Sequence, residues 1–328
     1  MALYELDRKT CRTRQIGAGM TLQRDAFIEV IHLAARKDRD IFFLSADFGA
    51  EALDAFRNEL PNQFIHCGIS EQHMIDMAAG LALAGKKVYV YAMGPFLSLR
   101  CYEQTKCLAM MSLPVTMISV GVGLGYADSG PTHYLTEDIA CMRALNGIEI
   151  LTPADAVAAT EAARLSLNHQ KFRYIRLDRE PLPSIYSFEV FEDVLQDGFH
   201  QLEIGSEICI LSSGYMLHRV IAARDKLLQD GINIGVIDLF RIKPINSNFL
   251  SVLDQYKAIV TVEEQCLSGG FGSAILEEMA DNDMSKSVHR MGLPDRYFFE
   301  NGGRSRLLDV FGLSVENICE VVKHEYLL

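Results

Sequence analysis

The sequence predicts an α/β protein built as two doubly wound domains with mainly parallel sheets, and three observations carry that prediction. Short apolar runs alternate with helical stretches, the signature of consecutive β-α-β units. The chain has 328 residues, which fits roughly two domains of about 150 residues each. The alternation breaks once, over 180–196, where Pro181, Pro183, Ser184 and Ser187 gather in a stretch suited to a connection. At 49% hydrophobic and 23% charged residues, the composition supports a substantial buried core.

The elements follow in order. Residues 1–20 read as a polar leader. Over 21–36, Leu22, Phe27, Val30, Ile31, Leu33 and Ala34 fall on one stripe of an amphipathic helix, with Thr21 as its cap. Apolar runs at 41–45, 88–91, 115–120, 148–151 and 173–175 read as strands, separated by helical patterns at 71–84, 97–111, 136–145 and 154–167. These define a first domain over 21–185 and a linker over 186–196. A second, smaller domain over 197–328 opens with strands at 207–211, 234–237 and 258–262, a helix over 216–229, and a further helix starting at Gly269-Gly270-Phe271-Gly272. That glycine turn fits neither G-x-G-x-x-G nor the P-loop spacing, so close packing of helix on strand is the better reading than phosphate binding.

Charge and composition exclude several functions. A net charge of −12 and a pI near 5.2 argue against nucleic acid as a partner, since phosphate backbones are held by clustered Lys and Arg. No run of 18 apolar residues and no signal-peptide core occur, so no membrane role is expected and the location is expected to be cytoplasmic. The eight cysteines lie scattered without a C-x-x-C pair and most read as reduced core residues, with no metal site expected on this chain.

The most informative segment is Gly68-Ile69-Ser70-Glu71-Gln72-His73-Met74, which places a carboxylate at the mouth of a helix behind Ser70. By itself this suits ordinary helix-start electrostatics. With Phe64-Ile65-His66-Cys67 before it and Ala78-Ala79-Gly80-Leu81-Ala82 after it, the segment resembles the pyrimidine-binding domain of transketolases and, more distantly, of 1-deoxy-D-xylulose-5-phosphate synthases. The resemblance implies that Glu71 activates thiamine diphosphate by hydrogen-bonding the pyrimidine, within an apolar pocket expected from Ile69, Met74 and Met77. The segment 95–104 resembles the family stretch whose aromatic residue stacks on that ring, which points to Phe96. Arg100 then approaches the coenzyme or salt-bridges a neighbour, and the sequence carries one extra residue between the two. Asp47, in Ser45-Ala46-Asp47-Phe48, matches a family turn at a strand's carboxyl end, where ligands of open α/β sheets gather.

Gly123 to Tyr134, with Gly130-Pro131-Thr132-His133 and then Glu137-Asp138, resembles the transketolase loop bordering the substrate, and implies that His133 hydrogen-bonds substrate oxygens or moves protons. Tyr134 and the inserted Ser129 depart from the usual pattern. Arg179, in Ile175-Arg176-Leu177-Asp178-Arg179, matches the family arginine that holds a sugar phosphate; Arg176 could reach the same anion, and a surface pair with Asp178 or Glu180 is the structural alternative. The arginine that synthases carry before the histidine loop is replaced by Val120, Gly121 and Val122, which leans away from a true synthase.

The resemblance covers only the second half of a full transketolase. The other half holds the diphosphate through Mg²⁺ with a Gly-Asp-Gly motif that is absent here. The resemblance therefore implies a split enzyme: an N-terminal-half partner carrying Mg²⁺ and the diphosphate, self-association of this chain, a heterotetramer, and transfer of a two-carbon ketol unit between sugar phosphates. Two alternatives stay open at this point, the beta subunit of a 2-oxo acid dehydrogenase and a non-catalytic scaffold.

Overall fold

The computed structural model describes residues 21–46, 49 and 51–327, so the leader and Asp47 lie outside the described residues. The chain divides into two compact units, residues up to Val122 with Met142–Glu192, and Gly123–Cys141 with Asp193–Leu328.

The first unit begins with α1 (Gln23–Ala35), β1 (Ile41–Ala46), α2 (Glu51–Glu59), β2 (Phe64–Gly68), α3 (Glu71–Leu83) and β3 (Lys87–Met93). It continues through α4 (Gly94–Leu97), α5 (Tyr102–Met110), β4 (Val115–Val120), α6 (Asp138–Arg143), β5 (Glu149–Leu151), α7 (Ala156–Asn168) and β6 (Arg173–Leu177). The connecting helix α6 begins in residues of the second unit. The strands run in the order β5-β6-β4-β3-β1-β2, every pair parallel. Parallel strands covered on both faces lack an in-out alternation, which is why β4 is buried at every position.

The apolar stripe of α1 buries Phe27, Ile28 and Ile31 in one cluster with Phe43, Phe56, Tyr89, Ile118 and Ile175. Ala159, Ala162 and Ala163 of α7 join that cluster, their short side chains leaving room for the bulky residues of α1. Thr21 does not cap α1. Leu22 is the N-cap without a side-chain bond, and Thr21 instead bridges Leu182 in extended backbone. Asp155 does cap α7, accepting from Ala158 N at 2.8 Å, and its other oxygen takes the N–H groups of Ile185 and Tyr186 at 2.7 and 2.9 Å. One carboxylate thereby anchors the proline-bearing stretch that leads into α8 (Phe188–Leu195).

The helix expected over 97–111 is two helices. Pro95 opens α4, Ser98 Oγ donates back to Gly94 O at 2.7 Å, and residues 98–101 turn before α5 starts. A hydroxyl bonded to the carbonyl four residues back bends a helix, and the interruption frees Arg100 from the regular ladder.

The second unit contains β7 (His200–Glu203), β8 (Ile208–Ser212), α9 (Tyr215–Gln229), β9 (Gly235–Asp238), β10 (Arg241–Lys243), α10 (Asn248–Leu253), β11 (Ala258–Cys266), α11 (Phe271–Asp281), β12 (Ser287–Leu293), α12 (Gly303–Val310) and α13 (Val315–Leu327). Its sheet runs β12-β11-β8-β9-β7, parallel except for the β7-β9 pair. Ile210, Leu217, Val236, Val260, Ile275 and Ile318 are wholly buried around it. Among the described residues no helix is long and apolar enough to cross a membrane, and no group of three His, Cys, Asp or Glu is placed to hold a metal ion.

The glycine turn before α11 proves to be a packing device. Glu263 Oε2 and Oε1 accept the N–H groups of Phe271 and Gly272 at 2.6 and 2.8 Å, so the positive end of the helix already holds an internal carboxylate. A Cβ on Gly270 would lie 2.3 Å from Glu263 Oε2.

Candidate functional site

Strand order reverses across β1, which pairs with β2 on one side and β3 on the other. The carboxyl edge at such a reversal is where open α/β sheets collect ligands. Glu71 follows β2 there, and Phe96 and Arg100 follow β3. Asp47 follows β1 in the chain but lies outside the described residues.

Three of the expected site residues meet at this edge. Glu71 is the first residue of α3 and only 5% exposed. Arg100 Nη1 donates to Glu71 Oε2 at 2.9 Å, and the Arg100 guanidinium lies over the Phe96 ring, 4.2 Å from its centroid. A second tie, from Gln72 Nε2 to Arg100 O at 3.3 Å, holds the backbone of the turn against α3. Carboxylate, planar cation and aromatic face therefore meet in one place, with the arginine paired to the carboxylate of its own chain.

Two local expectations need correction. Ser70 is the residue before α3, but its hydroxyl donates backward to Cys67 O instead of capping the helix. Ile69 does not wall the carboxylate: it is 77% exposed, because it sits in the turn before the helix, while Met74 is buried and Met77 half-buried. The apolar contribution comes from the helix side alone. Beside the site, burial and then the Glu71 charge push the Cys101 thiol up to about 12, so this sulfur stays protonated near neutral pH.

Arg179 lies half-buried in the bend that follows β6, at the same carboxyl edge. Arg176 does not join it. Its side chain is buried and donates to Thr152 Oγ1 at 3.2 Å, since on a strand whose two faces are covered it must find an internal acceptor.

His133 belongs to the second unit. It ends the short 3₁₀ turn Pro131–His133, its N–H donates to Gly130 O at 2.9 Å, and Nδ1 lies 3.0 Å from Thr132 Oγ1. Gly130, at φ +85°, provides the left-handed residue that the turn requires. The departure at Tyr134 has a structural account: the ring is buried, stacks on Phe298 at 5.4 Å, and its hydroxyl donates to Ala127 O at 3.3 Å. Tyr134 is thus turned inward as the pillar of the loop, and burial raises its hydroxyl pKa above the ordinary value.

The sequence reading missed the residues that hold this loop. Glu264 accepts from Leu124 N at 3.0 Å and from the Arg304 guanidinium, and Gln265 Nε2 donates to Leu135 O at 3.0 Å. The one signal available was the pair of adjacent glutamates at the end of an apolar strand, where carboxylates need internal partners.

Comparison with known proteins bears on these placements. Residues 21–184 match the family described as transketolase, pyrimidine binding domain, and residues 199–318 the family described as transketolase, C-terminal domain. A subunit of the apulose-4-phosphate transketolase of Phocaeicola vulgatus is 32% identical over 300 residues, covering 90% of this chain and 95% of that protein. The putative transketolase C-terminal section of Methanocaldococcus jannaschii is 29% identical over 305 residues, covering 92% and 95%. A solved structure of a split gene transketolase, an inactive beta4 tetramer, superposes with a TM-score of 0.81 at 26% identity, covering 93% of this chain and 98% of that one.

Proposed function

Because this chain belongs to the transketolase family and spans nearly the full length of relatives that are single subunits or sections, we propose that it is the C-terminal subunit of a split transketolase using thiamine diphosphate. In this reading residues 21–185 form the pyrimidine-binding domain, 186–196 the linker and 197–328 the C-terminal domain. A separate N-terminal-half subunit supplies Mg²⁺ and the diphosphate grip, two copies of each associate as a heterotetramer, and the enzyme works in the cytoplasm on sugar or sugar-like phosphates. The observation that carries the reading is the contact of Glu71, Arg100 and Phe96, a buried carboxylate beside an aromatic face.

Those residues fit the pyrimidine end of the coenzyme. The guanidinium between Glu71 and Phe96 is planar, cationic and a hydrogen-bond donor, so the two residues already accept a flat donor between a carboxylate and a ring. When bound, thiamine diphosphate supplies the carbon nucleophile that takes a two-carbon unit from a ketose and hands it to an aldehyde. Glu71 would hold a proton at a ring nitrogen of the pyrimidine, and its burial keeps that hydrogen bond out of competition with water. Phe96 would stack on the ring, and Arg100 would orient it from the flank. Asp47 would contribute to coenzyme binding. His133 would hydrogen-bond donor or acceptor oxygens and move a proton there, and the Arg179 fork would hold the phosphate.

A thiamine diphosphate titration tests the proposal. The chain alone should bind weakly, because this reading assigns the metal anchor to the partner, and the chain with its N-terminal-half partner should bind strongly and transfer ketol units from xylulose 5-phosphate. Tight binding by the chain alone, or turnover of pyruvate in place of the sugar phosphate, would overturn it.

A further inference from the structure

The loop from Gly123 to Leu135 is closed at its neck and then fastened to the end of β11. Gly123 and Leu135 exchange backbone hydrogen bonds, Gly123 N to Leu135 O at 3.0 Å and Leu135 N to Gly123 O at 2.8 Å. Three consecutive residues of β11 grip that neck. Glu264 Oε1 takes the Leu124 N–H at 3.0 Å, Gln265 Nε2 donates to Leu135 O at 3.0 Å, and Cys266 N donates to Thr136 O at 2.9 Å. The approach is close enough to demand a glycine: at Gly123, φ is +57° and a Cβ would lie 2.3 Å from Glu264 Oε2.

Glu264 is itself fixed. Arg304, from α12, forks onto it with Nε to Oε1 at 2.8 Å and Nη2 to Oε2 at 2.6 Å, and both side chains are nearly fully buried. The Arg304 guanidinium also lies 3.6 Å from the centroid of Tyr215 on α9, which fixes its plane. A buried bidentate pair has one orientation available. The carboxylate can therefore serve as a rigid acceptor for the Leu124 N–H, where a solvated glutamate would sample many rotamers.

We propose that Glu264, Gln265 and Arg304 are positioning residues, a clamp by which the C-terminal part of the chain sets the placement of the loop bearing His133; the functional half of this inference rests on the role of His133 given above. None of the three touches substrate. They act by limiting how far the loop neck can open, so that the imidazole is presented in one place and need not be ordered at each turnover.

Hydrogen exchange and kinetics on the same variants test this. In E264A the amide of Leu124 should exchange about ten- to a hundredfold faster, the loss expected when a backbone donor loses a charged acceptor, and the amide of Leu135, which donates to Gly123 O, should exchange faster as the neck loosens. The amides of Phe271 and Gly272, held by Glu263, should not change. Because E264A removes the carboxylate that faces the buried Arg304 guanidinium, the double variant E264M/R304L guards against simple unfolding. It should recover global stability while Leu124 still exchanges fast. Loop amides that keep wild-type protection in both variants would overturn the clamp, as would a double variant that restores them.

In enzyme reconstituted with the N-terminal-half subunit and assayed with xylulose 5-phosphate, the double variant should lower kcat while half-saturation by thiamine diphosphate stays unchanged. An unchanged kcat with a loosened loop would overturn the positioning role. H133N separates the two ideas: full kcat in H133N would remove the catalytic reading of the histidine and leave the exchange result, hence the clamp, standing.

Discussion

Arg100 Nη1 lies 2.9 Å from Glu71 Oε2, so the carboxylate at the head of α3 is engaged within its own chain by a group 29 positions away. The pairing is asymmetric: the Glu71 side chain is 6% exposed and that of Arg100 43%. The glutamate is thus held by the fold, whereas the arginine reaches it from solvent.

Glu71→Gln tests the carboxylate directly, because it keeps the shape of the side chain and its place at the helix start. Losing a positioned proton-transfer partner typically costs ~10²–10⁴-fold in rate, and turnover of the reconstituted enzyme should fall by that order. Association with the N-terminal-half subunit, followed by size-exclusion chromatography, should be unaltered. Wild-type turnover in Glu71→Gln would remove this residue from the mechanism.

Arg100→Met isolates the other partner. An exposed ion pair is worth about 0–1 kcal/mol, but Glu71 is buried, so urea unfolding should show a loss above that and below the about 3–5 kcal/mol of a fully buried pair. Half-saturation by thiamine diphosphate should rise, since a flanking cation is gone. A stability loss as large as that of a fully buried pair, with unchanged coenzyme binding, would make Arg100 a structural strut and nothing more.

Much of the architecture was legible because parallel strands covered on both faces read as apolar runs: β1, β3, β4, β5, β6, β8, β9 and β11 all fall on stretches singled out by pattern alone. The sheet-edge strands β2, β7 and β12 were not, and their partial exposure explains it, since a strand such as β12, with exposed and half-buried positions alternating over its first half, has no continuous apolar run to find. The break between α4 and α5 was hidden because Ser98 is compatible with helix until its hydroxyl turns to Gly94 O. The chemistry of Glu71 was legible through its flanking text. That Arg100 pairs with a neighbour was one open alternative, but which neighbour was not legible, and neither was the Glu264–Arg304 pair, because an ion pair across 29 or 40 positions is set by packing and leaves no periodic trace.

The pair Glu149–Arg173 predicts a strong packing effect. Arg173 is fully buried on β6, and its Nε meets the carboxylate of Glu149 on β5, itself 4% exposed. Removing one member leaves a buried charge uncompensated, which costs about 3–5 kcal/mol. Glu149→Ala should destabilise by that amount in urea unfolding. The double variant Glu149→Met/Arg173→Leu should regain most of it, because both desolvation costs disappear together. Equal losses in the two variants would show that packing volume, not charge, governs this position.

Two histidines set an expected acid sensitivity. Burial lowers the pKa of His32 on α1 below its ordinary value, with Glu59 opposing and Arg36 reinforcing, and burial alone lowers that of His200 on β7. Unfolded, each histidine takes up a proton near pH ~6.5; folded, each resists until a lower pH. Between those limits the unfolded chain binds more protons, so stability rises with pH there. The contribution is fully present above about pH 6.5 and is lost as pH falls toward the lowered folded values. Glu29, whose pKa burial raises, acts in the opposite sense, so the total curve mixes the two effects and a variant is needed to isolate the histidines. In urea unfolding followed from about pH 7.5 to about pH 5, a window that brackets the ordinary histidine pKa, the His32→Gln/His200→Gln protein should show a flatter decline than the parent, whatever its offset. Parallel curves would mean that neither imidazole resists protonation in the folded chain, and that the acid sensitivity arises from the carboxylates instead.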